Sequence, residues 1–338
     1  MKKQTRTVSL IGLSLALLVS GSALLYKELS SSKESVDQDA LSFIQTPETA
    51  ADIKGKFPAD AVTQFTFQED GKDAFNLLVA QYKDQGGAAQ SAVLFPEEKS
   101  ASELVTTQTG VRQKIWQAAA EVIARHAEDD ALIVSWWDDG QRVHFLSGKD
   151  AWIRKPAKET FKSPVWKAVK DRLVEANQDE QQRLTKMAGW LTMDSQKALA
   201  EMADYFGKKR PVYIVVSNDL LLRQAEFADY GGTRIPLIVK NFPVGNNLHG
   251  DIAQVKRWSQ DEGEGNYLAQ KENRFYRVWT VKKESGADNS LLVRLLPFVD
   301  SLKKLPDGVN LIYQTTWGGF LSVYQLDQDA IKSSNAAH

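Results

Sequence analysis

The chain has 338 residues, with 42 Lys and Arg against 43 Asp and Glu, a formal net charge of -1, and 43% hydrophobic residues. That balance excludes the basic footprint of a nucleic-acid-binding protein, and the length allows one large or two modest domains with a real core. Cysteine is absent, which removes disulfides, thiol nucleophiles, thiolate zinc sites, iron–sulfur clusters and covalently attached c-type haem.

Residues Val8 to Tyr26 form an uncharged, mostly apolar run preceded by Lys2, Lys3 and Arg6, with no acidic residue before Glu28. As a helix, Val8 to Leu25 rises about 27 Å, close to the thickness of a bilayer core, and its basic flank belongs on the cytoplasmic side. Residues 1–26 are therefore read as an anchor in the inner (plasma) membrane through residues 8–26, single pass, with the C-terminal domain in the periplasm. A signal peptide cleaved near Gly21-Ser22-Ala23 is the alternative. Residues 27–40, with the Ser30-Ser31-Ser32 run, read as a stalk.

Residues 41–110 are read as strand-rich: Val62, Phe65 and Phe67 precede a Glu-Asp-Gly turn, Phe75 to Tyr82 follow it, and Ala92 to Phe95 come after Gly86-Gly87. A main α/β domain then spans 111–330. Val111, Ile115, Ala118, Ala119, Val122 and Ile123 recur at helical spacing up to His126, and Ala131 to Val134 is a short run of buried-strand type. Residues 165–206 are helical with breaks near Asn177 and Thr192 to Ser195, and Pro211 opens a second buried strand, Val212 to Val216. The C-terminal third is loop and strand, at Phe275 to Val281, Leu291 to Leu296, Val309 to Gln314 and Phe320 to Leu326. Residues 331–338 are taken as a disordered tail. The fold class is α/β: one N-terminal transmembrane helix, then a mixed α/β extracytoplasmic domain with a small sheet and flanking helices.

The most unusual segment is Ser135-Trp136-Trp137-Asp138-Asp139-Gly140-Gln141-Arg142, at the carboxyl end of the Ala131 to Val134 strand, where open α/β sheets bind ligands. On extended backbone two adjacent Trp point to opposite sides, one into the core and the other toward a cleft. The aspartates need partners if buried, and Arg142 can supply one. Gly140 permits a sharp turn, after which Val143 to Leu146 reads as a returning strand. Trp136, Trp137, Asp138, Asp139 and Arg142 are the candidate ligand- or partner-binding residues; the competing reading is plain packing plus a turn. No nucleophile elbow, P-loop, H-E-x-x-H or G-x-G-x-x-G is present, so no catalytic residue, metal site or cofactor is assigned. Gly263-Glu264-Gly265 is read as part of a charged loop. Lys208-Lys209-Arg210 is read as a solvated helix end, Trp317-Gly318-Gly319-Phe320 as a strand bend, and His144 as a half-buried, hydrogen-bonded side chain.

Trp136-Trp137-Asp138-Asp139-Gly140 resembles the W-W-D-Y-G motif of oligosaccharyltransferase catalytic subunits, with Asp139 where that motif has tyrosine. In that family the motif helps hold the acceptor sequon, which would make Trp136, Trp137 and Asp138 the matching residues, while catalysis depends on a multi-span membrane portion this chain does not have. A resemblance covering most of the chain is to the HaoB family of hydroxylamine oxidation proteins. It is carried by the basic N-terminus and anchor, the Ser135 to Leu146 block continuing into Ser147-Gly148-Lys149-Asp150-Ala151-Trp152, and the Thr315 to Gln325 segment with Trp317-Gly318-Gly319. That resemblance implies a non-enzymatic, membrane-anchored periplasmic accessory (binding or assembly) protein associated with hydroxylamine oxidation, whose partner is hydroxylamine oxidoreductase or an electron carrier serving it. The alternative is a glycan- or peptide-binding module related to the soluble domain of oligosaccharyltransferases.

Overall fold

The structure is a computed structural model that describes residues 41–48, 53–69, 71–96, 109–271, 275–301, 305–315 and 319–336. The expected anchor (1–26), the stalk (27–40) and Trp317-Gly318 lie outside the described residues. No helix among the described residues is long and apolar enough to cross a membrane.

Strands β1 (Leu41–Glu48), β2 (Ala59–Glu69), β3 (Lys72–Lys83) and β4 (Ala89–Leu94) form an antiparallel sheet in that order. Period-2 alternation gives it two apolar faces. Phe65, Phe67, Phe75, Leu77, Val79 and Val93 enter the main core, while Val62, Leu78, Ala80, Tyr82, Ala92 and Leu94 pack with Phe57 and Phe145. Helix α1 (Thr109–His126) buries Ile115, Ala119 and Ile123 of the face its spacing predicts together with Trp116, while Val111, Ala118 and Val122 are half-buried.

A mixed five-stranded sheet carries the expected strands. β5 (Leu132–Val134) is parallel to β6 (Asp150–Ala151) on one side and to β7 (Val212–Ser217) on the other, with Leu132 opposite Val212 and Val134 opposite Ile214. β12 (Leu321–Leu326) runs antiparallel to β7, and β11 (Val309–Gln314) pairs with β12, giving the order β11-β12-β7-β5-β6. Between β5 and β6 lies α2 (Trp137–Ser147). The helical region resolves into α3 (Pro164–Val169), α4 (Gln178–Thr192) and α5 (Ser195–Phe206), broken where the sequence places caps: Asn177 and Asp194 accept from the first backbone amides of α4 and α5. α6 (Gln224–Asp229) follows β7.

A third sheet, order β8-β10-β9, joins β8 (Leu237–Pro243), β9 (Gly263–Lys271) and β10 (Phe275–Lys282), with α7 (Leu248–Glu262) packed on it. Helices α8 (Leu291–Leu295) and α9 (Gln328–Ala336) complete nine α-helices among the described residues. The domain is thus mixed α/β with several small sheets.

Four expectations are corrected. Val143 to Leu146 is helix, not a returning strand, because α2 is buried on nearly every side and so shows no amphipathic stripe to separate it from a strand. Leu291–Leu295 is also helical, with Leu291, Leu292, Val293 and Leu295 all buried. Gly263-Glu264-Gly265 opens β9 instead of forming a loop, and Gly263 sits against Thr280 of β10. The supposed tail is helical to Ala336: Asp327 caps α9, and Ile331 is 2% exposed.

Candidate functional site

The adjacent carboxyl ends of the parallel strands β5 and β7 feed α2 and the β7–α6 turn respectively, and their side chains meet between them. Trp136 is extended (φ -65, ψ 158) and Trp137 begins α2, so the two indoles diverge, yet both are fully buried. The expectation that one of them faces a cleft is therefore incorrect. Trp136 packs edge-on against Phe227 and Tyr230 at 4.8 and 5.7 Å, and Trp137 edge-on against Trp166 at 4.9 Å.

Helical backbone places Asp138 and Asp139 in the first turn of α2, where negative charge suits the helix dipole, and Arg142 one turn on. Arg142 donates from Nη2 to Asp138 Oδ2 at 2.9 Å and from Nη1 to Asp139 Oδ1 at 2.6 Å. Its guanidinium lies over Phe95 and Trp116 at 4.8 and 5.1 Å. From the other strand end, Arg223 Nη2 donates to Asp138 Oδ2 at 2.8 Å and Ser217 Oγ to Asp139 Oδ2 at 3.2 Å. Arg223 also lies over the Trp166 ring at 4.4 Å. Glu226 Oε1 accepts from Trp137 Nε1 at 2.8 Å and from Thr160 Oγ1 at 2.9 Å, and Thr160 Oγ1 is 2.8 Å from the Tyr230 hydroxyl.

Burial pushes every carboxyl here upward, and neighbours decide the outcome. Burial raises Asp138, but the charges of Arg223 and Arg142 outweigh it and hold its carboxyl below the usual range. Asp139, equally buried and beside the Asp138 charge, is pushed up to about 8. Glu226 is raised to about 7 by burial, with Asp138 adding to the rise and Arg223 opposing it.

All five residues singled out from the sequence are brought together, and Arg142 is the partner of both aspartates. They are sealed: Asp138, Asp139 and Arg142 are each at most 2% exposed. Sequence reasoning missed Ser217, Arg223, Glu226, Thr160 and Trp166. The strand-end rule, applied to β7 as it was to β5, points to Ser217 and the turn carrying Arg223. No group of three His, Asp or Glu among the described residues is placed to hold a metal ion, and the Asp138–Asp139 pair is already occupied by arginines and a hydroxyl. His144 Nδ1 donates to the Lys149 carbonyl oxygen at 2.8 Å, and its ring lies tilted against Phe57 at 5.0 Å. Chemically the arrangement is a buried ion cluster that clamps two chain segments together and presents two of its side chains, Arg223 and Glu226, to a small cavity.

The family model for HaoA-associated protein HaoB matches residues 4–326. The chain belongs to the HaoB family. No curated protein matches this HaoB-family chain by sequence. Among solved structures, the C-terminal domain of C. jejuni PglB is similar, with 12% identity, a TM-score of 0.37, and coverage of 62% of this chain and 99% of that one.

Proposed function

We propose that this chain is a single-pass, membrane-anchored accessory protein whose domain lies in the periplasm and binds or assembles with hydroxylamine oxidoreductase, HaoA, without carrying electrons itself. The supporting observation is the family match over residues 4–326, to a family described as HaoA-associated. The matched region includes the apolar run Val8 to Tyr26, which supports a tether held in common with the family. A chain without cysteine leaves covalently bound haem to its partner. In this reading the cluster of Trp136, Trp137, Asp138, Asp139 and Arg142 acts from the interior: Trp137 and Asp138 hold Glu226 and Arg223, and those two meet the ligand or partner.

The test is copurification. Tagged full-length chain, coexpressed with HaoA and solubilised in detergent, is expected to carry haem absorbance through affinity and size-exclusion steps. HaoA left wholly in the unbound fraction overturns the proposal. Saturable binding of a sequon peptide or polyprenyl-linked sugar, with HaoA unbound, favours the peptide- or glycan-binding alternative.

A further inference from the structure

Beneath the Lys162–Asp229 ion pair (2.9 Å) is a cavity of about 60 Å³ lined by Thr160, Trp166, Leu222, Arg223, Ala225 and Glu226 among others. Its floor is left incomplete by the cluster beneath it. Arg223 Nη2 is committed to Asp138, and Glu226 Oε1 to Trp137 and Thr160. The other arms, Arg223 Nη1 and Glu226 Oε2, stand 3.9 Å apart, beyond hydrogen-bond reach, and neither makes a hydrogen bond among the described residues. Both side chains are more than nine-tenths buried, at 7% and 9% exposed. A free arginine and glutamate would close such a gap. Here each is held back by its other bonds, so one donor and one acceptor are fixed side by side with room above them.

We propose that this cavity binds a carboxamide, its carbonyl oxygen accepting from Arg223 Nη1 and its NH₂ donating to Glu226 Oε2. The oxygen and nitrogen of a primary amide lie about 2.3 Å apart in one plane, so two hydrogen bonds of about 2.9 Å reach floor atoms at this separation as a near-parallel pair. Leu222 and Ala225 offer apolar wall to the attached methyl or methylene, and the volume suits a ligand of only a few heavy atoms. A carboxylate brings a second acceptor against Glu226. An amidinium brings a second donor against Arg223. The amide can belong to a free small molecule or to an Asn or Gln side chain of a partner. The site does not depend on the association with HaoA.

The experiment uses the full chain in detergent at about pH 8.5, where Glu226, raised to about 7, is ionised, titrated with acetamide and, in parallel, with acetate and acetamidinium, and followed by ligand-observed NMR. Saturable acetamide binding is expected with a Kd on the order of millimolar, as suits so few atoms, and at least tenfold tighter than either control. Ala225→Leu, which fills the cavity and leaves every charged group in place, should abolish binding with Tm unchanged. The selectivity series needs no variant: absence of saturation, or equal binding of all three probes, overturns the proposal, as does a folded Ala225→Leu chain that binds like the original. If excess acetamide also releases copurified HaoA, the natural amide is a partner side chain; if HaoA stays bound while acetamide saturates, it is a free small molecule. Failure of HaoA to associate leaves the acetamide result standing.

Discussion

Arg142 bonds both Asp138 and Asp139 from a position 1% exposed, and its removal leaves the buried Asp138 charge with Arg223 alone and Asp139 with the Ser217 hydroxyl. Breaking a buried pair by deleting one partner costs roughly 3–5 kcal/mol, because the remaining charge loses its compensation. Arg142→Met should therefore lower stability by about that amount in urea denaturation at pH 7, if the variant folds at all. Asp139 makes an opposite kind of prediction. Its folded pKa, about 8, lies above the ordinary aspartate value of 3.8, so between those values the folded state holds a proton that the unfolded state has lost. Its contribution to stability is full below about pH 4 and disappears as pH rises toward 8. Urea midpoints of the wild type should fall between about pH 5 and 8, Glu226 adding to the fall up to about 7, and Asp139→Asn should make the decline shallower; an Asp139→Asn profile as steep as that of the wild type refutes the assignment. The chemistry of these residues explains what was legible. Buried aspartates demand a cation, and Arg142 is the near one in sequence. Arg223 and Ser217 arrive from 85 and 78 residues away, a proximity created by strand pairing and invisible to local spacing.

Gly140 shows why α2 does not look helical in the sequence. The Asp-Asp-Gly string looks like a turn, yet its glycine is inside a helix, where a Cβ would come within 2.1 Å of the Ile153 carbonyl oxygen. The helix can lie this close to the β6 segment only because no side chain intervenes. Gly140→Ala should destabilise on the order of 3 kcal/mol despite the better helix propensity of alanine, a sign that thermal melting reads directly. Where side chains act locally, the sequence was more readable. Asn177 accepts from Glu180 N at 2.9 Å and marks the start of α4, so Asn177→Ala should cost about 1 kcal/mol in the same assay. Of the third sheet only β10, at Phe275 to Val281, is legible in the sequence, because β8 is largely half-buried or exposed and carries Lys240 and Asn241, while α7 buries only Val255 and Ser259, leaving no strong apolar period in either.

For the whole molecule, the proposed tether makes a simple statement about partition. A chain beginning at residue 27 should leave the membrane pellet and appear in the soluble fraction with the far-UV circular dichroism of the domain intact; retention in the pellet at full yield would assign membrane attachment to the domain itself. Strand-like alternation before residue 110 and helical spacing after it are legible in the sequence, but the contact between these elements is not: Gln141 of α2 bonds both Val93 N and Ser91 Oγ of β4, tying the first sheet to the cluster. The order of the mixed sheet has a further consequence. β12, the last strand in chain order among the described residues, is inserted between β7 and β11, and Phe320 O accepts from Asn218 N at 2.8 Å beside the turn that delivers Arg223. The charged interior can therefore lock only after Leu321–Leu326 has been made, and a polypeptide cut short ahead of Leu321 is left with an open β7 edge, a ready substrate for proteolytic disposal.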